Sequence, residues 1–437
     1  MRNVKQKAFL FLITAFFIFI PHVCLAEKVK VNLIWKFPAP SWLEIEILEG
    51  KYSLRYNQTT QELNPNQEIK VGCTGWAYFL TKDNEIYVLT NSKVSLCSGG
   101  EKGVFRLREP GKGWISYRGD LELGTKNLEW RVFNTLEQED YLKGVVPNEM
   151  SNSWAAQGFE ALKAQAVTAR TYLLKNMDHN GVITDSPNIH QAYGGKSVEG
   201  EASRAVEETK GELLVDLETG KPIDVFYSAH NGGHSEVTEN VWISKDPHYE
   251  AKPDPFSQGV GGFADRWRFF IAADVLGQSF DLAPIRQVRP KKYESGRVFE
   301  VYLLDWLGNE KIISGDDFVK KFYPRNRALG SDCFLSRLFE VYNILGQIKP
   351  HQIPGTFKSE ELKPPSPGPV LSRLKSSGED LSPKERNFGV YVFEGRGWGH
   401  GVGMSQWGAY QMAKEGYTYR QILEFYYKNS VLRQSNT

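Results

Sequence analysis

Three stretches of this chain combine residue types and spacings that chemistry can use. The first is Val145-Val146-Pro147-Asn148-Glu149-Met150. A carboxyl held among apolar neighbours has a raised pKa and keeps a proton to donate near neutral pH, as a general acid must. The same glutamate, lying ahead of the next helix, also suits a helix N-terminus, where the dipole favours a negative charge. The second stretch is Tyr227-Ser228-Ala229-His230-Asn231-Gly232-Gly233-His234-Ser235-Glu236. His230 and His234 would form a metal pair on a helix, but Gly232-Gly233 makes a helix a poor reading and weakens the zinc one. A strand end opening into a Gly-Gly turn lets backbone N–H groups approach a ligand, and an ordinary turn explains the residues equally well.

The third stretch is Gly395-Arg396-Gly397-Trp398-Gly399-His400-Gly401-Val402-Gly403-Met404-Ser405-Gln406-Trp407-Gly408-Ala409. Glycine at alternate positions invites a dinucleotide reading, but the GxGxxG spacing fails and too little chain follows for a nucleotide domain. Alternating glycines leave one edge of an extended segment bare. Trp398 and His400 then share a side, as a stacking platform for a sugar beside a polar donor. Tight packing against a neighbouring strand is the alternative. No Ser-His-Asp or Cys-His nucleophile is persuasive, because Ser228 lacks the GxSxG turn and Cys73, Cys97 and Cys333 stand far from the histidines in sequence.

These residues need elements to hold them. Residues 27–103 read as short strands separated by Gly and Asn-Pro turns, an all-β module without a catalytic constellation. From about residue 104 strands lead into a helix over Phe159–Asn176, where Phe159, Leu162, Ala166, Ala169 and Leu173 form one apolar stripe and Lys163 and Arg170 share another face. Further strands cover Val225–Ser228, Val298–Leu304 and Val390–Phe393. Helices follow over Ser405–Glu415 and Tyr419–Tyr427. The Pro- and Ser-rich stretch 349–386 reads as a long unstructured insertion. The fold class expected is α+β: a β-rich domain, 104–437, with a long amphipathic helix and a C-terminal helix, preceded by the small all-β module.

Composition bounds the function. Lys+Arg 53 against Asp+Glu 52 argues against a nucleic-acid binder, which needs surplus cations for phosphates. Aromatic residues at 13% suit either large cores or a sugar-like ligand. Arg2, Lys5 and Lys7 precede an apolar run, Ala8–Ile20, and then Cys24-Leu25-Ala26. This is the pattern of a secretory signal, 1–26, cleaved after Ala26, and the run is too short to span a membrane. Its removal takes three basic residues and turns the formal +1 slightly negative. Export permits disulfides, and Cys73 and Cys97 bracket strand-like residues that they could close as a hairpin, with Cys333 left over.

The segments Glu139–Met150 and Glu160–Tyr172, the Ser228–Glu236 stretch with Val241-Trp242 behind it, and Gly395–Ala409 with Ile422–Tyr427 together resemble the SpoIID/LytB domain proteins of bacterial cell-wall remodelling. Smaller echoes are Tyr117-Arg118-Gly119 and Ser295-Gly296-Arg297-Val298. The resemblance implies an exported lytic transglycosylase acting on peptidoglycan glycan strands, preferably those stripped of stem peptides. It places the catalytic acid at Glu149 and a substrate-cleft arginine at Arg170. Lys163, Ser228, Gly232, Gly233, Trp398, His400, Ser405 and Gln406 complete the expected substrate-binding set. One carboxyl suffices for such lysis, whereas hydrolysis uses two flanking the bond. The runner-up role is a non-catalytic, murein-binding enhancer of a cell-wall amidase. Some relatives carry a Cys/His zinc site after the first long helix. Here that loop, Asp178–Tyr193, has His179 and His190 but no Cys, so neither metal nor other cofactor is expected. Asn148 stands where many relatives have Ser, and Ala155–Phe159 reads as an insertion relative to the usual spacing.

Overall fold

A computed structural model describes residues 28–74, 77–90, 93–100, 102–126, 129–242, 244–323, 333–344 and 388–435. The expected leader, 1–26, and the Pro-rich stretch, 349–386, lie outside the described residues. The architecture is mixed α+β and begins with an all-β region. Strands β1 (Lys28–Asn32), β2 (Trp42–Glu49), β3 (Tyr52–Tyr56), β4 (Thr59–Leu63), β5 (Glu68–Thr74), β6 (Ala77–Lys82), β7 (Glu85–Val88) and β8 (Val94–Cys97) are followed by β9 (Val104–Arg108), β10 (Ile115–Arg118), β11 (Asp120–Lys126) and β12 (Glu129–Glu137). Many alternate buried and open side chains, as in β3 and β8, the pattern of a sheet with one face on a core.

The sheets continue across residue 103. One runs β10-β9-β2-β5-β6-β7; the other runs β1-β12-β11-β8-β3-β4 and gains a strand on its outer side, β13 (Val182–Thr184), parallel to β1. Cys73 lies in β5 and Cys97 in β8, strands of different sheets, so they do not close a hairpin; the cysteines among the described residues are thiols. The Asp185 carboxylate, just past β13, accepts the Trp35 and Lys36 N–H groups at 2.7 and 3.0 Å and ties the first strands to the helical part. A single apolar core extends from Val29 through Leu123 and Val167 to Tyr427.

Helices α1 (Gln138–Glu149), α2 (Ala155–Asn176) and α3 (Glu201–Glu208) follow β12, and β14 (Glu212–Asp216) and β15 (Tyr227–Ser228) come next. The expected start of α2 was Phe159, but the helix begins at Ala155 and kinks at Gly158, whose φ/ψ of −125°/31° leave the helical region. Gly158 is needed there: a Cβ would lie 2.2 Å from the Tyr410 ring. A second core forms around β16 (Trp267–Ala272), α4 (Ala273–Gln278), β17 (Ile285–Lys292), β18 (Val298–Asp305), β19 (Glu310–Ser314), α5 (Gly315–Phe322), β20 (Phe339–Ile344) and β21 (Val390–Gly395). The chain then returns to the first core through β22 (Met404–Ser405), α6 (Gln406–Lys414), α7 (Tyr419–Tyr426) and β23 (Ser430–Gln434), which pairs with β14. Ser405 caps α6 by accepting the Gly408 N–H, and Thr418 with Gln421 forms a capping box on α7. No helix among the described residues is long and apolar enough to cross a membrane.

Candidate active site

Glu149 closes α1, at a helix C-terminus and not the N-terminus that its residue type also suits, and α2 follows from Ala155. Pro147 sits in the last turn of that helix and has no N–H for the Lys143 carbonyl four residues back. The Ser203 hydroxyl, from α3, donates to that carbonyl at 3.3 Å and takes the missing donor's place. Loop 192–195 packs against the glycine face of α1: the Gly194 N–H donates to the Gly144 carbonyl at 3.0 Å, and a Cβ on Gly144 would lie 2.5 Å from Tyr193. That packing turns the Ala192 N–H onto the Glu149 carboxyl, 3.3 Å from Oε1.

The Tyr227 and Gln406 side chains are the other hydrogen-bond partners of this carboxyl. Both arrive through one contact, the parallel pairing of β15 with β22, which sets Tyr227 beside Met404 and Ser228 beside Ser405. A web of neutral groups continues outward. Gln191 donates to the Tyr227 hydroxyl at 3.3 Å and accepts from Tyr141 at 3.4 Å, and Gln406 donates to Gln165 at 3.4 Å. Burial pushes the Glu149 carboxyl up to about 7, against the pull of the Ala192 N–H, Gln406 and Tyr227. The C-terminal position in α1 acts in the same upward direction, because the negative end of the helix dipole disfavours an anion. Among the described residues the groups that touch the carboxyl are all neutral, with no second carboxylate. Such an arrangement stores a proton near neutral pH and can deliver it to a leaving oxygen.

The other expected site residues divide. Gln406 reaches Glu149. Ser228 adjoins it in the β15–β22 pair, and its buried Oγ, beside Gly399, has no hydrogen-bond partner among the described residues. Ser405 is fully buried and accepts from the Ser257 hydroxyl at 2.8 Å as well as capping α6, so it holds the frame and faces no ligand. Arg170 is a correction of the same kind. Its side chain has no exposed surface, its Nε and Nη2 donate to both oxygens of Glu139 at 2.8 and 2.7 Å, and the Glu212 and Val206 carbonyls take the remaining bonds. Arg170 therefore clamps α2 to α1 and β14 and cannot line a cleft. Lys163 is held by Glu160 and Glu208 at 3.0 and 2.9 Å on the flank of α2.

His400 hydrogen-bonds the Tyr227 backbone and meets the Trp242 ring edge-on at 5.0 Å. Burial, then the charges of Arg297 and Arg337, lower its pKa to about 4, so it is a neutral imidazole at physiological pH. Trp242 stacks at 4.4 Å on Phe226. Gly232 and Gly233, both with positive φ, line a cavity of 330 Å³ with Ser295, Leu338 and Arg396, and Glu149 is not part of its lining. Trp398 pairs through its backbone with His230 and donates its Nε1 to the Tyr323 hydroxyl at 3.1 Å. Sequence reasoning missed Tyr227 and Ala192 as partners of the acid, and Gln191 behind Tyr227. The only signal for Tyr227 was its place beside the Ser228–Glu236 stretch. No group of three or more potential metal-ligating side chains occurs among the described residues.

The family model for stage II sporulation protein, SpoIID, matches residues 126–215, which include Glu149 and Arg170. The chain is 30% identical over 318 residues to an uncharacterized protein of Brachyspira hyodysenteriae, covering 72% of this chain and 71% of that one. The chain belongs to the SpoIID family. Among other members, the amidase enhancer of Bacillus subtilis is 30% identical over 309 residues, 67% of this chain, and the match spans only 40% of that relative's length. The stage II sporulation protein D of the same bacterium is 25% identical over 318 residues, covering 68% of this chain and 75% of the relative. The SpoIID-matching segment supplies α1, the loop that aims the Ala192 N–H, and α2. Tyr227 and Gln406 come from outside it.

Proposed function

We propose that this protein is an exported peptidoglycan lytic transglycosylase in which Glu149 is the catalytic acid and then the catalytic base. The observation that carries the reading is the Glu149 carboxyl: half-buried, touched only by neutral donors and shifted to about 7. The protonated carboxyl gives its proton to the glycosidic oxygen as the C1–O4 bond breaks. The carboxylate then takes the C6 hydroxyl proton of the same N-acetylmuramic acid as O6 closes on C1. Protons balance, no water is consumed, and the product carries a 1,6-anhydro end. A hydrolase would need a second carboxylate placed for water or for a covalent intermediate.

Digestion of peptide-free glycan strands with the purified protein, read by mass spectrometry, tests this. Anhydro-ended fragments that disappear with Glu149→Gln are expected; unchanged strands, or activity that survives the substitution, refute it. The similarity to a protein named amidase enhancer favours a second reading, a glycan-binding partner of a cell-wall amidase. That reading expects faster amidase turnover without new anhydro ends. Both readings place the protein at the cell wall after export, and both give it glycan strands as its partner.

A further inference from the structure

A run of partly exposed aromatic rings begins at the residues that flank the acid and crosses from the larger core to the smaller. Trp154 ends the 3-10 turn, Asn152–Trp154, that lies between Glu149 and α2. Trp407 directly follows Gln406, the amide on the Glu149 carboxyl. Although far apart in sequence, the two rings meet at 4.6 Å, and Tyr410 closes a trio at 4.6 Å from Trp154 and 5.8 Å from Trp407. The backbone of Gly261 rests on Trp407, and a Cβ there would come 3.0 Å from the ring. Two residues on, Phe263 meets Trp398 at 5.8 Å, and Trp398 is tied through Nε1 to the Tyr323 hydroxyl. None of these six residues is fully buried.

The strip between the trio and Phe263 is built to stay low. Gly259, Gly261 and Gly262 all have φ between +59° and +82°, and a side chain on Gly259 or Gly262 would meet nothing within 4 Å. Core packing accounts for the inner side of each ring: Trp154 adjoins the first core, and Phe263 and Trp398 adjoin the second. It does not account for a partly open series running over both cores from the neighbours of Glu149. The rings carry no formal charge, and their edges offer indole N–H and phenol groups. This is the chemistry that binds a neutral polyhydroxylated chain: apolar sugar faces on the rings, hydroxyls on the polar edges.

We propose that this aromatic series is an extended binding track for a β-linked polysaccharide strand, with its near end at Trp154 and Trp407 beside Glu149 and its far end at Phe263, Trp398 and Tyr323. The proposal deepens the reading of Glu149 as the glycan-cleaving acid by giving that site several sugar positions on one side. A track of this kind makes affinity grow with ligand length, and each ring serves only those oligomers long enough to reach it.

The test uses full-length Glu149→Gln protein, which binds without cutting, and measures the affinity of uncharged β-1,4-linked N-acetylglucosamine oligomers from dimer to hexamer. The hexamer is expected to bind more tightly than the dimer. Adding Phe263→Ala should weaken the hexamer about tenfold and leave the dimer unchanged, while Trp154→Ala should weaken both. Trp154→Phe, which keeps a ring, should restore most of the loss, and thermal melts identify any variant that fails to fold. Affinity independent of length, or hexamer binding indifferent to Phe263→Ala in folded protein, overturns the track. Product analysis of the wild-type chain separates the two proposals: length-dependent binding without anhydro ends keeps the track and removes the catalytic role, and cleavage without length dependence does the reverse.

Discussion

Replacing Glu149 with Gln should abolish glycan cleavage and also stabilise the protein, but only where the native carboxyl is ionised. The folded state moves this group from its ordinary 4.5 to about 7, chiefly by burial. At about 1.4 kcal/mol per tenfold change in proton affinity, ionising it costs the fold about 3 kcal/mol. Because the folded pKa is raised, the stabilising contribution of the protonated form is complete below about pH 4.5 and lost as pH rises through 7. Gln is isosteric and neutral at every pH, and its carbonyl can still accept from Ala192 or Tyr227. Wild-type and Glu149→Gln should therefore unfold alike in urea at pH 4, diverge between pH 5 and 7, and differ by up to about 3 kcal/mol at pH 8, with the variant the more stable. Cleavage by the wild type should fall later, as pH rises through about 7, since the first step needs the proton on the folded carboxyl. A variant no more stable at pH 8 than at pH 4, relative to wild type, would show that the carboxyl is not held protonated; the acid role would then lose its physical basis.

Arg170→Ala should destabilise the fold by about 3–5 kcal/mol in urea, because it leaves Glu139 without its bidentate partner; near-native stability with weakened glycan binding would instead mean that Arg170 faces a ligand. Gly401→Ala should lower the melting temperature by several degrees or prevent folding. Its φ is +79° and its Cβ would lie 2.0 Å from Arg297 Nη2, so an unchanged melt refutes the packing described for that loop. Ser228→Ala removes a buried hydroxyl that has no partner, so stability should hold or rise by about 1 kcal/mol, and a clear loss in urea unfolding contradicts that placement.

Glu149 was legible as a buried acid because its cue is local: Val145, Val146, Pro147 and Met150 flank it. Its helix position was not, since Pro147 reads as a breaker and only the Ser203 hydroxyl, from a later helix, makes a proline in that last turn tolerable. The α+β class and the capped C-terminal helices also rest on near-neighbour patterns, such as Thr418 with Gln421. Arg170 failed for the opposite reason. The family resemblance gave it a cleft role, and the single apolar stripe on α2 left it on another face with Lys163. In the fold, residues 164–171 are buried all round, because α1, α3, α6 and β14 each take a side. The alanines at 161, 164, 166 and 169 were the available sign, since small side chains let elements approach from several directions. Thr168 and Thr171 agree with it: both hydroxyls bond back into their own helix, to the Gln165 and Val167 carbonyls, and Thr171 also accepts the Leu214 N–H of β14 at 3.0 Å. An arginine in such a helix has no route to solvent and must find its carboxylate inside, which Glu139 supplies. Charged residues on a helix with alanines on more than one face are therefore better read as buried clamps than as cleft residues, and the Arg170→Ala unfolding measurement decides between the two.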